Sequence, residues 1–174
     1  MKISSKILPI RLYGDEILRE ISTAVDNFNG ELVDILKSTI LSMKHGKGLG
    51  LAANQVGISK RFFAIDLSYF DVVKEPIIIV NPEIAEISGS MIGEEGCLSF
   101  PGLFQEIERP EKTIITGLDI DGKEIAVEGK GLMARVLLHE IDHLDGKMFI
   151  DHLSSFKRSM IKGKLKKIKA GEEI

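Results

Sequence analysis

The sequence predicts an α+β fold: antiparallel or mixed sheets packed around a central helix, with helices before them and another at the C-terminal end. Three observations carry this. Beta-rich segments follow one another through the middle of the chain. Helical periodicity is confined to either side of that block. The regular βαβ alternation that marks a doubly wound parallel sheet is missing from the pattern. At 174 residues, 44% apolar and 28% charged, the chain has the size and composition of one core-forming domain spanning residues 1–174. That composition excludes general disorder, because enough apolar surface is present to offset the entropy of ordering.

In chain order, Asp15 can cap a short helix over residues 15–21. Residues 31–44 set Leu32, Ile35, Leu36, Ile40 and Met43 on one helical face, and Gly46 and Gly48 end the run. Strands are expected in RFFAIDLS (61–68), PIIIV (76–80) and TIITGLDI (113–120), which are rich in β-branched and aromatic residues. The last meets EIAVEG (124–129) across Asp121-Gly122, whose small residues suit a tight hairpin. A helix follows over residues 132–144, ended by Asp145-Gly146. A final basic helix, residues 154–170, sets Leu153, Phe156, Met160, Ile161 and Ile168 against a lysine face, with Gly163 as its weak point.

The net charge of −3 hides an asymmetry. Lys157, Arg158, Lys162, Lys164, Lys166, Lys167 and Lys169 crowd the final helix, while residues 1–153 carry 16 basic against 24 acidic groups. A solvated helix face explains this as well as a docking face does. No apolar run approaches the roughly 18 residues of a membrane-spanning helix. The apolar stretch in MKISSKILPIR is too short for a signal peptide. A single cysteine forms no internal disulfide, which suits a reducing compartment, and the expected location is the cytoplasm.

The strongest chemical signal is HEIDH, His139–His143, inside the helix over 132–144. Positions i and i+4 lie about 40° apart around the helix and about 6 Å along its axis, so both imidazoles can reach one metal ion. Glu140 is then placed to address a water on that ion instead of binding it. The chain has only four histidines, and two of them hold this spacing with a glutamate in the right slot, which makes coincidence a poor explanation. The third ligand decides the class. A metzincin would place a histidine where Phe149 stands, and a thermolysin-like enzyme would need a downstream glutamate, for which only Glu172 and Glu173 remain. Cys97, in EEGCLSFPG, is left as the candidate. A lone cysteine is often just a small hydrophobe, yet Cys-His-His is a good zinc or ferrous-iron set that leaves a coordination position open.

Residues 45–57, HGKGLGLAANQVG, read as a loop whose small residues let backbone approach a ligand, with Gln55 offering an amide donor. Gly48, Gly50 and Ala53 match a GxGxxA dinucleotide fingerprint, but an amphipathic helix precedes them where a strand is required. A helix cap and turn would explain the glycines alone.

These residues give the chain a resemblance to the peptide deformylases. GLGLAANQ (48–55), EGCLS (95–99) and HEIDH (139–143) match in order and spacing, and weaker likeness runs from ILPIRLYGDEILRE through Arg109-Pro110 to HLDGKMFIDHLS. The resemblance implies removal of formate from N-formylmethionyl peptides in a bacterial cytoplasm. By likeness, Cys97, His139 and His143 would hold one divalent metal, usually Fe(2+), with Zn(2+), Ni(2+) or Co(2+) able to replace it. Glu140 would shuttle a proton from the metal-bound water to the leaving amine. Gln55 and the backbone N–H of Leu98 would hydrogen-bond the formyl oxygen, and Gly50 would contact the substrate backbone.

Helical spacing aligns Leu132, Val136, His139 and His143 on one face, so Leu132 and Val136, with Leu49, are candidates for a methionine pocket or for plain core. Arg135, one turn before His139, falls at the expected rim with no assigned role. Given the resemblance, the basic helix becomes a candidate ribosomal RNA contact. A zinc endopeptidase built on the same HExxH core and a non-catalytic Cys-His-His module remain the alternatives.

Overall fold

The computed structural model describes residues 5–174. Among these, the helices are α1 (Gly30–His45), α2 (Leu132–Leu144), α3 (Ser155–Met160) and α4 (Lys162–Lys169). The strands are β1 (Gly50–Ala52), β2 (Phe62–Ile65), β3 (Ile77–Ser88), β4 (Met91–Gly96), β5 (Phe104–Arg109), β6 (Lys112–Leu118) and β7 (Glu124–Lys130). One sheet has the order β1-β2-β3-β6-β7, and β4 and β5 form a separate hairpin. All these ladders are antiparallel, and a lone parallel bridge joins Thr23 to Lys60. No described helix is long and apolar enough to cross a membrane.

The larger sheet is covered on both faces. Phe62 and Ala64 of β2 pack with Leu32, Leu36 and Met43 of α1, whereas Phe63 and Ile65 pack with Val136, Leu137 and Ile141 of α2. A strand buried on both faces needs no polar alternation, which is why FFAI reads as an unbroken apolar run. A third cluster joins Leu18, Phe100, Leu103 and Phe149 to Ile161, Leu165 and Ile168 near the C-terminal end.

Several expectations need correction. The helix over 15–21 is a single 3-10 turn, Glu16–Arg19, although Asp15 caps it by accepting from the Ile17 N–H at 3.2 Å. Residues 45–57 are not a loop: they hold strand β1 and a 3-10 turn at Ala53–Val56. The PIIIV strand runs on past Pro82 to Ser88 through register shifts, with an exposed distal half. Strands β4 and β5 have no strong sequence signature, because MIGEEG and FQEIER are glycine- and charge-rich and bury only Glu95 and Ile107 with Arg109.

The basic C-terminal helix is two helices broken at Ile161, two residues before Gly163. The break reorients its apolar stripe. Leu153, Ile161 and Ile168 are buried together with Leu165, but Phe156 and Met160 are 72% and 70% exposed. The hairpin at Asp121-Gly122 is present, with Gly122 at φ 78° and the Asp119 carboxylate accepting from the N–H groups of Asp121 and Lys123.

Helix α2 spans the expected residues and ends at Asp145-Gly146. Gly146 has φ 69°, and a side chain there would strike the Arg19 carbonyl, so this stop needs glycine twice over. Arg19 also forms a bidentate pair with Asp151, which ties the N-terminal turn to the segment after α2.

Candidate metal centre

Helix α2 buries eleven of its thirteen residues. A helix enclosed on nearly every side must supply its polar side chains with partners, and those partners form the site. His139 and His143 bring their Nε2 atoms to 3.2 Å of each other. The Cys97 sulfur, one residue beyond β4, lies 3.2 Å from His143 Nε2. All three potential ligand atoms fall within 4.8 Å of one another. Phe149, at the metzincin ligand position, is instead core and stacks on His139 at 6.1 Å.

Glu95 fixes the orientation of His139. Its carboxylate accepts from His139 Nδ1 at 2.8 Å, so Nδ1 carries the proton and the Nε2 lone pair faces the centre. Glu95 also accepts from Arg109 Nε at 3.0 Å and Nη2 at 2.7 Å, and from Arg135 Nη1 at 3.0 Å. Burial alone would raise the Glu95 pKa, but the hydrogen bonds from His139 and Arg109 outweigh it and hold the carboxyl well below its usual range. Arg109 continues to Asp142 at 2.6 Å, and Asp142 to His152 at 2.7 Å. Asn54 donates to the His143 carbonyl.

Gln55 is buried beneath Cys97. Its Nε2 donates to the Cys97 sulfur at 3.3 Å and to Ser99 Oγ at 3.1 Å, and its Oε1 accepts from the Ala52 N–H at 2.9 Å. Glu140 is buried with one oxygen, Oε2, that has no hydrogen-bond partner among the described residues. Burial pushes its carboxyl up to about 7; a cation beside it acts in the opposite sense. Gly50 lies so close to Glu140 that a β-carbon would overlap the carboxylate.

A divalent ion fits this donor set. Three donors, one a thiolate when metal is bound, converge on one point, with the Cys97 sulfur and the two imidazole nitrogens all within 4.8 Å of one another. A cleft of about 560 Å³ opens beside it, lined by Leu49, Gly50, Gln55, Cys97, Leu98, Leu132, Val136, His139 and Glu140. His143 sits beneath, almost inaccessible. Each candidate ligand, catalytic and pocket residue from the sequence is therefore in or under one cleft.

Arg135 does border the cleft, but it is buried and bonded to Glu95 and to the Ile107 carbonyl at 2.9 Å, because a charge on an enclosed helix needs a counter-ion. Glu95, Arg109, Ser99 and Asn54 had no role in the sequence reading. The available signal was Arg135 itself: an arginine amid LMARVLL demands a buried acid elsewhere.

Comparison with known proteins agrees with this arrangement. Residues 7–159 match the family model described as polypeptide deformylase. The peptide deformylase of Thermodesulfovibrio yellowstonii is 43% identical over 160 residues, covering 92% of this chain and 97% of that protein. The crystal structure of a peptide deformylase from Legionella pneumophila superposes with a TM-score of 0.87 at 43% identity, covering 94% of this chain and 96% of that one. The peptide deformylase structure from Thermus thermophilus gives 0.87 at 36% identity, covering 95% and 99%. With likeness of sequence and of backbone extending over nearly the whole length, the chain belongs to the polypeptide deformylase family.

Proposed function

We propose that this chain removes the formyl group from the N-terminal formylmethionine of nascent polypeptides, as a metal-dependent hydrolase with Cys97, His139 and His143 as ligands and Glu140 as general base and acid. One observation carries the assignment of roles: the thiol and two imidazoles converge on a point beside a buried carboxylate whose Oε2 no protein group satisfies among the described residues. When bound, the ion supplies Lewis acidity that lowers the pKa of a water ligand to about 7. Glu140 takes a proton from the attacking water and passes it to the amine nitrogen as the C–N bond breaks and formate leaves. Gln55 Nε2 and the Leu98 N–H donate to the formyl oxygen while it carries negative charge.

Gly50, on the outer strand of the sheet, meets the substrate backbone, and Leu49, Leu132 and Val136 receive the methionine side chain. Fe(2+) is the expected ion; a thiolate with two imidazoles also accepts Zn(2+), Ni(2+) or Co(2+). The lysines of α3 and α4 face solvent, which supports a salt-sensitive contact with ribosomal RNA; the site of action in this reading is the cytoplasm.

The test is formate release from formyl-Met-Ala-Ser by protein loaded anaerobically with Fe(2+), beside Glu140→Ala and the N-acetyl peptide. Rapid release that is lost in the variant, with the acetyl peptide spared, is the expected result. No release with one equivalent of metal bound would overturn the reading.

A further inference from the structure

We infer that the exposed pair Tyr69 and Phe70 forms a distal subsite for an apolar side chain of the formylated peptide, several residues downstream of its methionine; this rests on the peptide-hydrolysis reading above. A second cavity, about 430 Å³, lies alongside the catalytic cleft. Lys47, Gly48 and Leu49 line both, so the two are separated only by that ridge. The far wall is the aromatic pair on the 3-10 turn Ser68–Phe70. Tyr69 is 89% exposed and Phe70 49%, their rings edge to face at 5.4 Å.

Neither ring belongs to any of the three core clusters. Adjacent aromatic rings left in water beside a groove mark a contact surface rather than packing. The turn is fastened to the ridge it faces: the Asp66 N–H donates to the Leu49 carbonyl at 2.8 Å, and the Asp66 carboxylate accepts from the Ser68 N–H at 3.0 Å. The turn that carries the rings is thus held beside the cleft.

From the metal centre the cleft adjoins two further cavities toward which a peptide can run. Past Pro101 and Gly102 it meets Ile174, which packs 3.2 Å from the position of a Gly102 β-carbon, together with Glu172 and Glu173. Past the Lys47–Leu49 ridge it meets the exposed Tyr69 and the half-exposed Phe70. The second route is open and offers apolar contact.

The experiment compares kcat/KM of the Fe(2+)-loaded enzyme on formyl-Met-Ala-Ser and on two formylated decapeptides. One carries Phe at positions five to seven, the other Ser. The native protein should prefer the Phe decapeptide by about two- to tenfold, the range that aromatic contacts supply. Tyr69→Ser/Phe70→Ser should abolish that preference while turning over the tripeptide at the native rate. A native protein without the preference, a preference surviving in the double variant because the chain leaves past Pro101, or an equal loss on tripeptide and decapeptides would each overturn the proposal. Failure of the native protein on the tripeptide would instead strike the deformylase reading itself.

Discussion

Replacing Glu95 by Gln changes one oxygen to an amide nitrogen and tests whether the charge of that carboxylate organises the centre. Glu95 accepts four hydrogen bonds: Oε1 takes Arg109 Nε and Arg135 Nη1, and Oε2 takes Arg109 Nη2 and His139 Nδ1. A glutamine keeps only one accepting oxygen. In one amide orientation its NH₂ opposes Arg109 Nη2 and His139 Nδ1; in the other it opposes Arg109 Nε and Arg135 Nη1. Either way two donors face a donor, and two arginines lose a buried counter-ion. Breaking a buried pair costs about 3–5 kcal/mol.

Arg109 keeps Asp142 and Arg135 keeps the Ile107 carbonyl, so the lower end, about 3 kcal/mol, is expected. For a domain of this length that is a fall in Tm of about 6–12 °C. Loosening His139 should also weaken metal binding about 10- to 100-fold. Calorimetry and chelator competition measure the two quantities separately. A variant within about 0.5 kcal/mol of native stability, with unchanged metal affinity, would refute the reasoning, since changes that small are ordinary for surface positions.

Gln55→Ala should lower kcat about 10²- to 10³-fold by removing an oxyanion donor. It should also cost about 1–2 kcal/mol, because the Ala52 N–H and Ser99 Oγ lose a buried partner; denaturant unfolding and metal content separate the two effects. Gly50→Ala should displace the Glu140 carboxylate and reduce kcat about 10²-fold at full metal loading, and native kcat would contradict the close approach. Asp151→Asn should cost about 1 kcal/mol at pH 7, given the half-exposed Arg19 partner. Burial raises the Asp151 carboxyl, but bonds from Arg19 and the Met148 N–H outweigh it and hold it below its ordinary value. Its contribution is therefore complete above the unfolded pKa near 4 and fades as pH falls through the lower folded value. The stability gap between native and variant should shrink below about pH 4, and a gap constant with pH would rule out the ion pair.

What could be read from the sequence was local. The ends of α2 follow from apolar spacing and Asp145-Gly146, and two ligands follow from that helix's pitch. Cys97 was reached by elimination and by resemblance, and the structure brings it beside His143. The Glu95 network could not be read, because its partners lie 14 to 44 residues away with no periodic relation. Strands β4 and β5 were missed because a two-stranded hairpin has little buried surface to impose a pattern. The break at Ile161 separates two faces: Ile161, Leu165 and Ile168, at i, i+4 and i+7, share the buried face of α4, whereas Phe156 and Met160 on α3 stay exposed. For the same reason, deleting residues 155–174 would remove core along with charge, so lysine-to-glutamine changes in α4 are the cleaner probe of the basic face.

The three hydrophobic clusters meet at neighbouring residues. Cys97 packs on one, Leu98 on the second, and α2 contributes Val136, Leu137 and Ile141 to the third. Repacking of the residues that touch Cys97, Leu98 or this face of α2 therefore alters the spacing among the thiol and the imidazoles. Ligand affinity is thus a gauge of interior order, and a library of core variants could be sorted by metal retention alone, with no assay of turnover.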